Sequence, residues 1–394
     1  MVMRGDAEKF GAAACIAVAA RLLRLIFLRR ARNRVALRCV FFCGGRDFLP
    51  PHVVCKVMQA EQEVSNSVIV RRLCKTYGAV KAIDNVSFRI ARGEIVGFLG
   101  PNGAGKSTTM KVVSGMMPAD SGSVEICGVS VAADPDAAKS HIGFMPENNP
   151  LPEDLRVDEY LKFRAKLKGI PRREVASAVE EVMEICQLNR KAYRKIIGNL
   201  SKGFRQRVGI ADAILANPDV IIMDEPTIGL DPHQILAIRD LINSLRGKMS
   251  VIISSHILPE IELVCDRVII INQGSIVASG TSQSLRKDFV STDRYCVSIK
   301  MPEPEFARRL ALFAPFAEVE KCAPSSGGFA EYTVKTPANS DLSETLIREF
   351  SKDSAAPLGE VYFKKPTLEE IFMAATRKSW EQVLTPKGAE AEQK

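Results

Sequence analysis

The sequence predicts an α/β core that contains a helical insertion and is followed by a small α+β domain. Four continuous apolar runs rich in β-branched residues predict parallel strands that are buried on both faces: Ile95–Leu99, 220–223, 251–253 and 268–271. Amphipathic patterns at 157–168 and 173–187 predict the helices of the insertion. Beyond residue 293, strand and helix patterns follow one another again, which indicates a second folded unit.

Residues 1–64 do not share these patterns and form a basic N-terminal extension. Eleven of the 54 basic residues and three of the 46 acidic residues lie in 1–57, so the net charge of +8 belongs to this segment. Met58 stands shortly before the first strand pattern, and we expect the natural start near it, with 1–57 either a mis-assigned extension or disordered.

Two functional alternatives for this extension stay open. A basic amphipathic helix at 21–38 would lie on an anionic membrane surface. A metal site would use ligands whose spacing is irregular for zinc: Cys39, Cys43, His52 and Cys55.

A glycine-rich loop follows the first buried strand and precedes a helical pattern at 106–114. Gly100-Pro-Asn-Gly-Ala-Gly-Lys-Ser-Thr108 carries the spacing G-x-x-x-x-G-K-[ST] of a phosphate-binding loop. Its backbone N–H groups would surround phosphate oxygens, and the helix N-terminus would add positive charge. We expect Lys106 to reach the β- and γ-phosphates and Ser107 to bind Mg²⁺. The predicted nucleotide contacts are Gly100, Pro101, Asn102, Gly103, Ala104, Gly105, Lys106, Ser107 and Thr108.

Two carboxylates, Asp224 and Glu225, follow the second buried strand. Parallel sheets bind ligands at the carboxyl ends of their strands, so we expect both side chains near the phosphates. Asp224 is predicted to hold Mg²⁺ through its water shell, which neutralises phosphate charge. Glu225 is predicted to orient the attacking water and to take its proton.

The remaining elements complete the domain plan. Alternating patterns at 68–73, 86–90 and 123–127 predict a half-exposed sheet before and after the loop. A polar stretch at 279–293 predicts a linker, and the order β, α, β, β, α, β, α that follows is typical of a ferredoxin-like unit. Its segments are 294–300, 303–312, 317–321, 330–335, 342–350, 359–363 and 367–375. The predicted domains are 1–64, 65–285, 286–380 and a disordered tail, 381–394.

Composition excludes several classes of protein. The chain beyond residue 57 has no net charge. This argues against a nucleic-acid partner, because proteins that bind nucleic acids normally have a basic face. No segment predicts a membrane span, because the best candidate, 11–28, is interrupted by Arg21 and Arg24 and is shorter than about 20 residues. Six cysteines stand singly among apolar or strand-like residues and indicate reduced, buried thiols: Cys74, Cys127, Cys186, Cys265, Cys296 and Cys322.

The phosphate loop, the acidic pair and the segment Leu200-Ser-Lys-Gly-Phe-Arg-Gln-Arg207 together resemble the ATP-binding subunits of ABC transporters over residues 68–285. The resemblance implies a P-loop NTPase of the ABC type, with a mixed sheet core, an antiparallel β subdomain and the helical insertion. It also implies an ATPase that binds ATP and Mg²⁺ and powers membrane transport.

The resemblance assigns further residues. Tyr77 matches the aromatic residue that stacks on adenine, and His256 matches the switch histidine that contacts the γ-phosphate. Ser201 and Gly203 match the signature residues that contact the ATP of a partner subunit. Asp231 matches the loop that links the two active sites. With Lys106 and Glu225, His256 completes the predicted catalytic set.

Two departures from the family pattern point to one branch of it. Lys202 and Phe204 replace the usual Gly and Gln of the signature, and Glu147 replaces a Gln expected near Mg²⁺. Together with Pro366-Thr-Leu-Glu-Glu-Ile-Phe372, they resemble the ABC-2-type exporters, which include ATPases of gliding-motility and drug-resistance type.

The resemblance also implies protein partners and a cellular location. Two such subunits, either two copies or a copy and a homologue, would sandwich ATP and drive a separate integral-membrane permease from the cytoplasmic face of the plasma (inner) membrane. A non-transport ABC ATPase acting on ribosomes or DNA is an alternative, although this chain has one cassette and no heptad run. A protein that binds ATP without hydrolysing it is another, although such a protein would not need Glu225 and His256.

Overall fold

The computed structural model describes residues 66–384, apart from residues 189, 325, 339 and 353–355. The expectations for Met58, for the helix at 21–38, for the cysteine–histidine metal site and for the tail beyond residue 384 lie outside the described residues. All described residues belong to one unit, 61–394.

The described strands, β1 to β14 in chain order, are Asn66–Tyr77, Val80–Ala91, Ile95–Leu99, Ser121–Ile126, Val129–Ser130, Ile142–Met145, Val220–Asp224, Ser250–Ser255, Arg267–Asn272, Ser275–Gly280, Thr292–Ile299, Glu318–Pro324, Ala330–Pro337 and Leu358–Lys364. The described helices, α1 to α12, are Lys106–Val113, Pro135–Ser140, Val157–Leu167, Val175–Ile185, Arg190–Tyr193, Lys202–Ile214, Pro232–Leu245, Leu258–Val264, Ser282–Phe289, Glu303–Phe313, Ser343–Phe350 and Leu368–Leu384.

The central sheet has six strands in the order β10-β9-β3-β8-β7-β6. Every pair is parallel except β9 with β10, so the sheet is mixed. Every residue of β3, β7 and β8 is buried, as their continuous apolar runs predicted. The carboxyl ends of these three strands therefore meet at one edge, where the phosphate loop begins and where Asp224 stands.

A second sheet, antiparallel and of four strands, packs its apolar face against the central sheet. Its order is β2-β1-β4-β5, and its buried residues share one hydrophobic cluster with residues of the central sheet. The patterns at 68–73 and 86–90 predicted the buried middle parts of two strands that are each 12 residues long. The helical insertion, α3 to α6, stands between β6 and β7. The predicted α/β fold class, with its mixed core, antiparallel subdomain and insertion, is confirmed.

The C-terminal sheet is antiparallel throughout, with the order β12-β13-β11-β14. Strand β13 therefore lies between β11 and β12, which is the split β-α-β arrangement of the ferredoxin-like pattern. The Phe306 ring stacks on the Tyr332 ring, with centroids 4.0 Å apart. It also stacks on the Phe350 ring, with centroids 4.8 Å apart. This core is separate from those of the two other sheets.

The predicted linker at 279–293 is wrong in part, because it contains helix α9, Ser282–Phe289. Thr281 caps this helix by accepting a hydrogen bond from the Ser284 N–H at 3.1 Å, and Leu285 is buried. The last helix, α12, is also longer than the pattern at 367–375 predicted. Its apolar face joins the hydrophobic cluster of the central sheet and not that of the C-terminal sheet.

Five described cysteines are free thiols. Cys186 and Cys296 are buried as predicted, whereas Cys74, Cys127 and Cys265 are only half-buried. In the part of the chain that the structure describes, no helix has both the length and the apolar character to span a bilayer.

Candidate functional site

The phosphate loop lies between β3 and α1 in a conformation that requires glycine at two positions. Gly105 has a φ of 102° and caps α1 with no side-chain hydrogen bond, so the first N–H groups of the helix face the loop. A Cβ atom at Gly105 would collide with the Ala82 carbonyl oxygen, and one at Gly100 with the Ile271 carbonyl oxygen. The loop thus presents main-chain N–H groups without a covering side chain, which is the geometry that cradles phosphate.

Lys106 is buried, with 7% of its surface exposed, and its side chain points back along the loop. Its ammonium group donates to the carbonyl oxygens of Gly100 at 2.8 Å and Pro101 at 3.3 Å. Ser107 and Thr108 are half-buried at the start of α1, next to it. The ammonium group therefore lies within the loop, at the point where the predicted phosphates would bind.

The strand register brings the other predicted residues to the same edge. β3 pairs with β8 so that Leu99 lies beside Ser255, and β7 pairs with β8 so that Asp224 lies beside Ser254. Asp224 and Glu225 are both buried, with 3% and 7% of their surfaces exposed. Two carboxylates that are buried at this edge of the sheet are the type of group that can bind a cation beside a polyphosphate.

Ser254 connects the carboxylate of Asp224 with the backbone of Glu225, and the sequence did not single it out. Its hydroxyl donates to Oδ1 of Asp224 and accepts from the backbone N–H of Glu225 at 3.0 Å. The Glu225 N–H also donates to the Ser254 carbonyl at 3.1 Å. Glu225 has a φ of 52°, a left-handed conformation that is costly for a residue with a side chain, and these bonds hold it there.

His256 and Glu225 form a hydrogen-bonded pair. Nδ1 of His256 lies 2.7 Å from Oε2 of Glu225, and the histidine side chain is 49% exposed while that of the glutamate is 9% exposed. The ring thus closes the solvent side of the buried carboxylate. A carboxylate that is oriented by a histidine and held in a fixed backbone conformation can act as a general base.

The signature residues lie at the start of α6. Ser201 is exposed and caps the helix by accepting from the Phe204 N–H at 3.4 Å, and Gly203 is packed against the side chain of Gln234. Asp231 caps α7 by accepting from the Gln234 N–H at 2.9 Å. Among the described residues, no hydrogen bond joins Ser201 to the phosphate loop of its own chain. Gln234 thus contacts both the signature, at Gly203, and Asp231.

Tyr77 and Glu147 lie at the periphery. Tyr77 ends β1, is 46% exposed, and donates its hydroxyl to the Met117 sulfur at 2.8 Å. Glu147 is exposed two residues after β6, the strand beside β7, so it stands at the same edge as Asp224.

The predicted metal ligands are oxygen donors. The Ser107 hydroxyl and the carboxylates of Asp224 and Glu147 offer hard oxygen atoms, which are the ligands that suit Mg²⁺.

Comparison with known proteins gives one family. Residues 83–228 match the family described as ABC transporter. A linearmycin resistance ATP-binding protein of Bacillus subtilis is 38% identical over 54% of this chain and 68% of its own length. A Nod factor export ATP-binding protein I of Burkholderia thailandensis is 35% identical over 62% of this chain and 79% of its own length.

Solved structures give the same fold. One is cbiO1 from Clostridium perfringens, described as part of the ABC transporter complex cbiONQ, with 25% identity and a TM-score of 0.52 over 64% of this chain and 96% of that one. Another is the dimeric structure of MJ0796, a bacterial ABC transporter cassette, with 26% identity and a TM-score of 0.50 over 54% of this chain and 98% of that one.

Proposed function

This chain belongs to the ABC transporter family of ATP-binding proteins, and on that premise we propose that its ATP hydrolysis drives export through a separate membrane permease. As a member of this family, the chain binds ATP and hydrolyses it to power transport. The name of one relative, a Nod factor export protein, supports the direction of transport.

Three side chains at the carboxyl edge of the sheet carry the chemistry. Lys106 leaves the carbonyl groups of its own loop and binds the β- and γ-phosphates of ATP as a positive charge. Glu225 orients the attacking water and accepts its proton, and His256 keeps that carboxylate in place while its exposed ring reaches the γ-phosphate. Tyr77 stacks on the adenine.

Mg²⁺ suits the oxygen donors of this edge. Ser107, Asp224 and Glu147 would hold the ion, which when bound would neutralise charge on the phosphates. The bond from Ser254 to Oδ1 of Asp224 orients the second oxygen of that carboxylate. The extra negative charge of Glu147, where the family has Gln, tunes how the site responds to the permease.

Two subunits close around ATP. Ser201 and Gly203 bind the γ-phosphate held by the loop of the partner, and Asp231 links the two sites. The likeness to a dimeric cassette supports this arrangement. The binding energy of ATP thus becomes a change in subunit position.

The permease seats on the helical insertion, with the chain on the cytoplasmic face of the membrane. Phe163 and Leu167 on α3 are 53% and 61% exposed, and Ile196 at the base of the insertion is 43% exposed. Phe163 and Leu167 lie one turn apart on the same helix, and a pair of exposed apolar side chains suits a protein contact. The ATP-binding domain is 65–285, and the accessory domain, 286–380, acts as a packing module.

The meeting of Lys106, Asp224, Glu225 and His256 at one sheet edge carries this proposal, and Glu225→Gln tests it. We expect ATP binding to be retained and kcat to fall by about 100-fold or more, because a general base contributes about 10²- to 10⁴-fold. Lys106→Ala should instead weaken ATP binding itself. Nucleotide titration and phosphate release measure the two effects.

A matched control is Glu180→Gln, which makes the same change at an exposed position on α4. It should keep both ATP affinity and turnover. Normal phosphate release by the Glu225 variant would remove Glu225 from the role of base, and unchanged ATP affinity of the Lys106 variant would contradict the assignment of the loop.

A further inference from the structure

Three potential metal ligands meet at the edge of the central sheet opposite the phosphate loop. Cys127 lies in the turn between β4 and β5, His141 directly precedes β6, and Asp219 directly precedes β7. Because Asp224 ends β7 and Asp219 precedes it, about 16 Å of strand separates this cluster from the ATP site. The cluster is thus independent of the site for ATP.

The pairing of the strands explains why these residues meet. Ile142 pairs with Val220 in parallel register, so the residues that precede them, His141 and Asp219, are neighbours. Nδ1 of His141 lies 2.7 Å from Oδ2 of Asp219. The turn at Cys127 is attached through its N–H, which donates to the Ser67 carbonyl at 2.8 Å, and has left-handed backbone at Cys127 and Gly128.

We propose that Cys127, His141 and Asp219 form a binding site for a zinc-type transition-metal ion. A thiolate, an imidazole and a carboxylate are the three side-chain ligand types of zinc. One ligand atom from each of these residues lies within 4.8 Å of the other two. Metal–ligand bonds of about 2.0–2.3 Å place tetrahedral ligand atoms about 3.5 Å apart, so about 1 Å of side-chain movement completes the site.

The surroundings suit three protein ligands and an open fourth position. Cys127 and His141 are half-buried, whereas the Asp219 side chain is 44% exposed, which leaves a path for the ion and a place for water. Arg92 lies 4.0 Å from Oδ1 of Asp219, the oxygen that His141 does not use. At this distance the guanidinium group forms an ion pair with the carboxylate without a direct hydrogen bond.

Cys127 is a half-buried free thiol. A ligand atom of His141 and one of Asp219 lie within 4.8 Å of its sulfur. A bound ion would displace the proton and would join three segments that are distant in the sequence.

Co²⁺ added to the nucleotide-free full chain tests the proposal, because cobalt bound by thiolate shows a sulfur-to-metal charge-transfer band in the near ultraviolet. We expect one equivalent of this band to disappear in Cys127→Ser, and the affinity for Co²⁺ at that site to fall by at least about 10-fold in His141→Gln. Zn²⁺ should displace the cobalt and should raise the Tm of the wild type more than that of Cys127→Ser.

Cys74→Ser is the matched control, because Cys74 is also a half-buried free thiol but lies on β1 outside the cluster. It should keep the band of the wild type. The cysteines of residues 1–57 are present in every variant, so their contribution cancels in the comparison. Identical cobalt titrations of wild type, Cys127→Ser and His141→Gln would overturn the proposal and leave a simple His141–Asp219 pair. ATP hydrolysis measured in parallel checks that each variant is folded.

Discussion

At the scale of single residues, Ser254 holds the carboxylate of Asp224 and the backbone of Glu225. It is fully buried, its hydroxyl binds Asp224, and its hydroxyl and carbonyl both accept from the Glu225 N–H. The bonds at the Glu225 N–H are between neutral groups and contribute about 0.5–1.5 kcal/mol, whereas a strained backbone conformation costs about 1–3 kcal/mol. The bonds of Ser254 thus offset part of the strain at Glu225.

Removing this hydroxyl by Ser254→Ala should lower kcat for ATP by about 10- to 100-fold, the range for loss of a partner that orients a metal ligand. The Mg²⁺ concentration that gives half-maximal turnover should rise, because Asp224 loses its orientation. Steady-state phosphate release at varied Mg²⁺ measures both effects.

Ser250→Ala provides the control for that experiment. Ser250 lies on the same strand and is buried, with 1% of its surface exposed. Its hydroxyl accepts from the Gly93 N–H at 3.0 Å and donates to the Ala91 carbonyl at 3.1 Å. Its loss should reduce stability to a similar degree without changing the dependence on Mg²⁺. An equal effect of the two variants on that dependence would show that Ser254 acts through stability alone.

The motif residues were predictable from the sequence because their chemistry requires fixed residue types at fixed spacing. The role of Ser254 was not, because its partners are set by the register between β7 and β8, which pairs residues 30 positions apart. The bond between His256 and Glu225 depends on the same register. A comparison of the residues that end adjacent buried strands is the signal that could have found both.

At the scale of elements, the phosphate loop depends on close approach of two strands to Gly105. Gly105→Ala would place a Cβ against the Ala82 carbonyl oxygen at the start of β2, so the loop must move away. We expect ATP affinity to fall by more than tenfold, which nucleotide titration measures. Gly169→Ala is the control, since Gly169 also has a positive φ, 77°, but open space around it.

Gly169→Ala should lower the free energy of unfolding by about 1–2 kcal/mol through backbone strain. It should leave ATP affinity unchanged. Equal losses of ATP affinity in the two variants would mean that strain, and not the contact with Ala82, governs the loop.

Elements that are wholly buried were predicted closely, and partly exposed ones were not. Ile95–Leu99 was predicted to the residue, because burial on both faces selects an unbroken apolar run. Helix α9 was taken as linker because it is mostly polar, and only Leu285 of its eight residues is buried. Its signal was Thr281 as a cap, a local feature that a search for apolar patterns overlooks.

At the scale of the whole molecule, the C-terminal helix α12 returns to the ATP-binding part of the chain. Leu368, Ile371 and Ala375 are buried in the hydrophobic cluster of the central sheet. The Leu368 N–H donates to a carboxylate oxygen of Glu262 on α8 at 3.4 Å, and Arg286 on α9 donates to the Pro366 carbonyl at 3.2 Å. Arg294 on β11 bonds to Glu370 at 2.9 Å, so α12 also contacts the C-terminal sheet.

Because α12 contacts both parts, damage to it should reach the ATP site. Ile371→Ala removes a side chain with no solvent exposure and should lower the free energy of unfolding by about 2–5 kcal/mol. Met373→Ala, on the same helix but 62% exposed, should change it by less than about 0.5 kcal/mol. Thermal unfolding followed with and without ATP separates the two parts, because ATP protects the part that binds it. If the ATP-protected transition of Ile371→Ala stayed at the wild-type temperature, α12 would belong to the C-terminal sheet alone, and the two parts would be energetically independent.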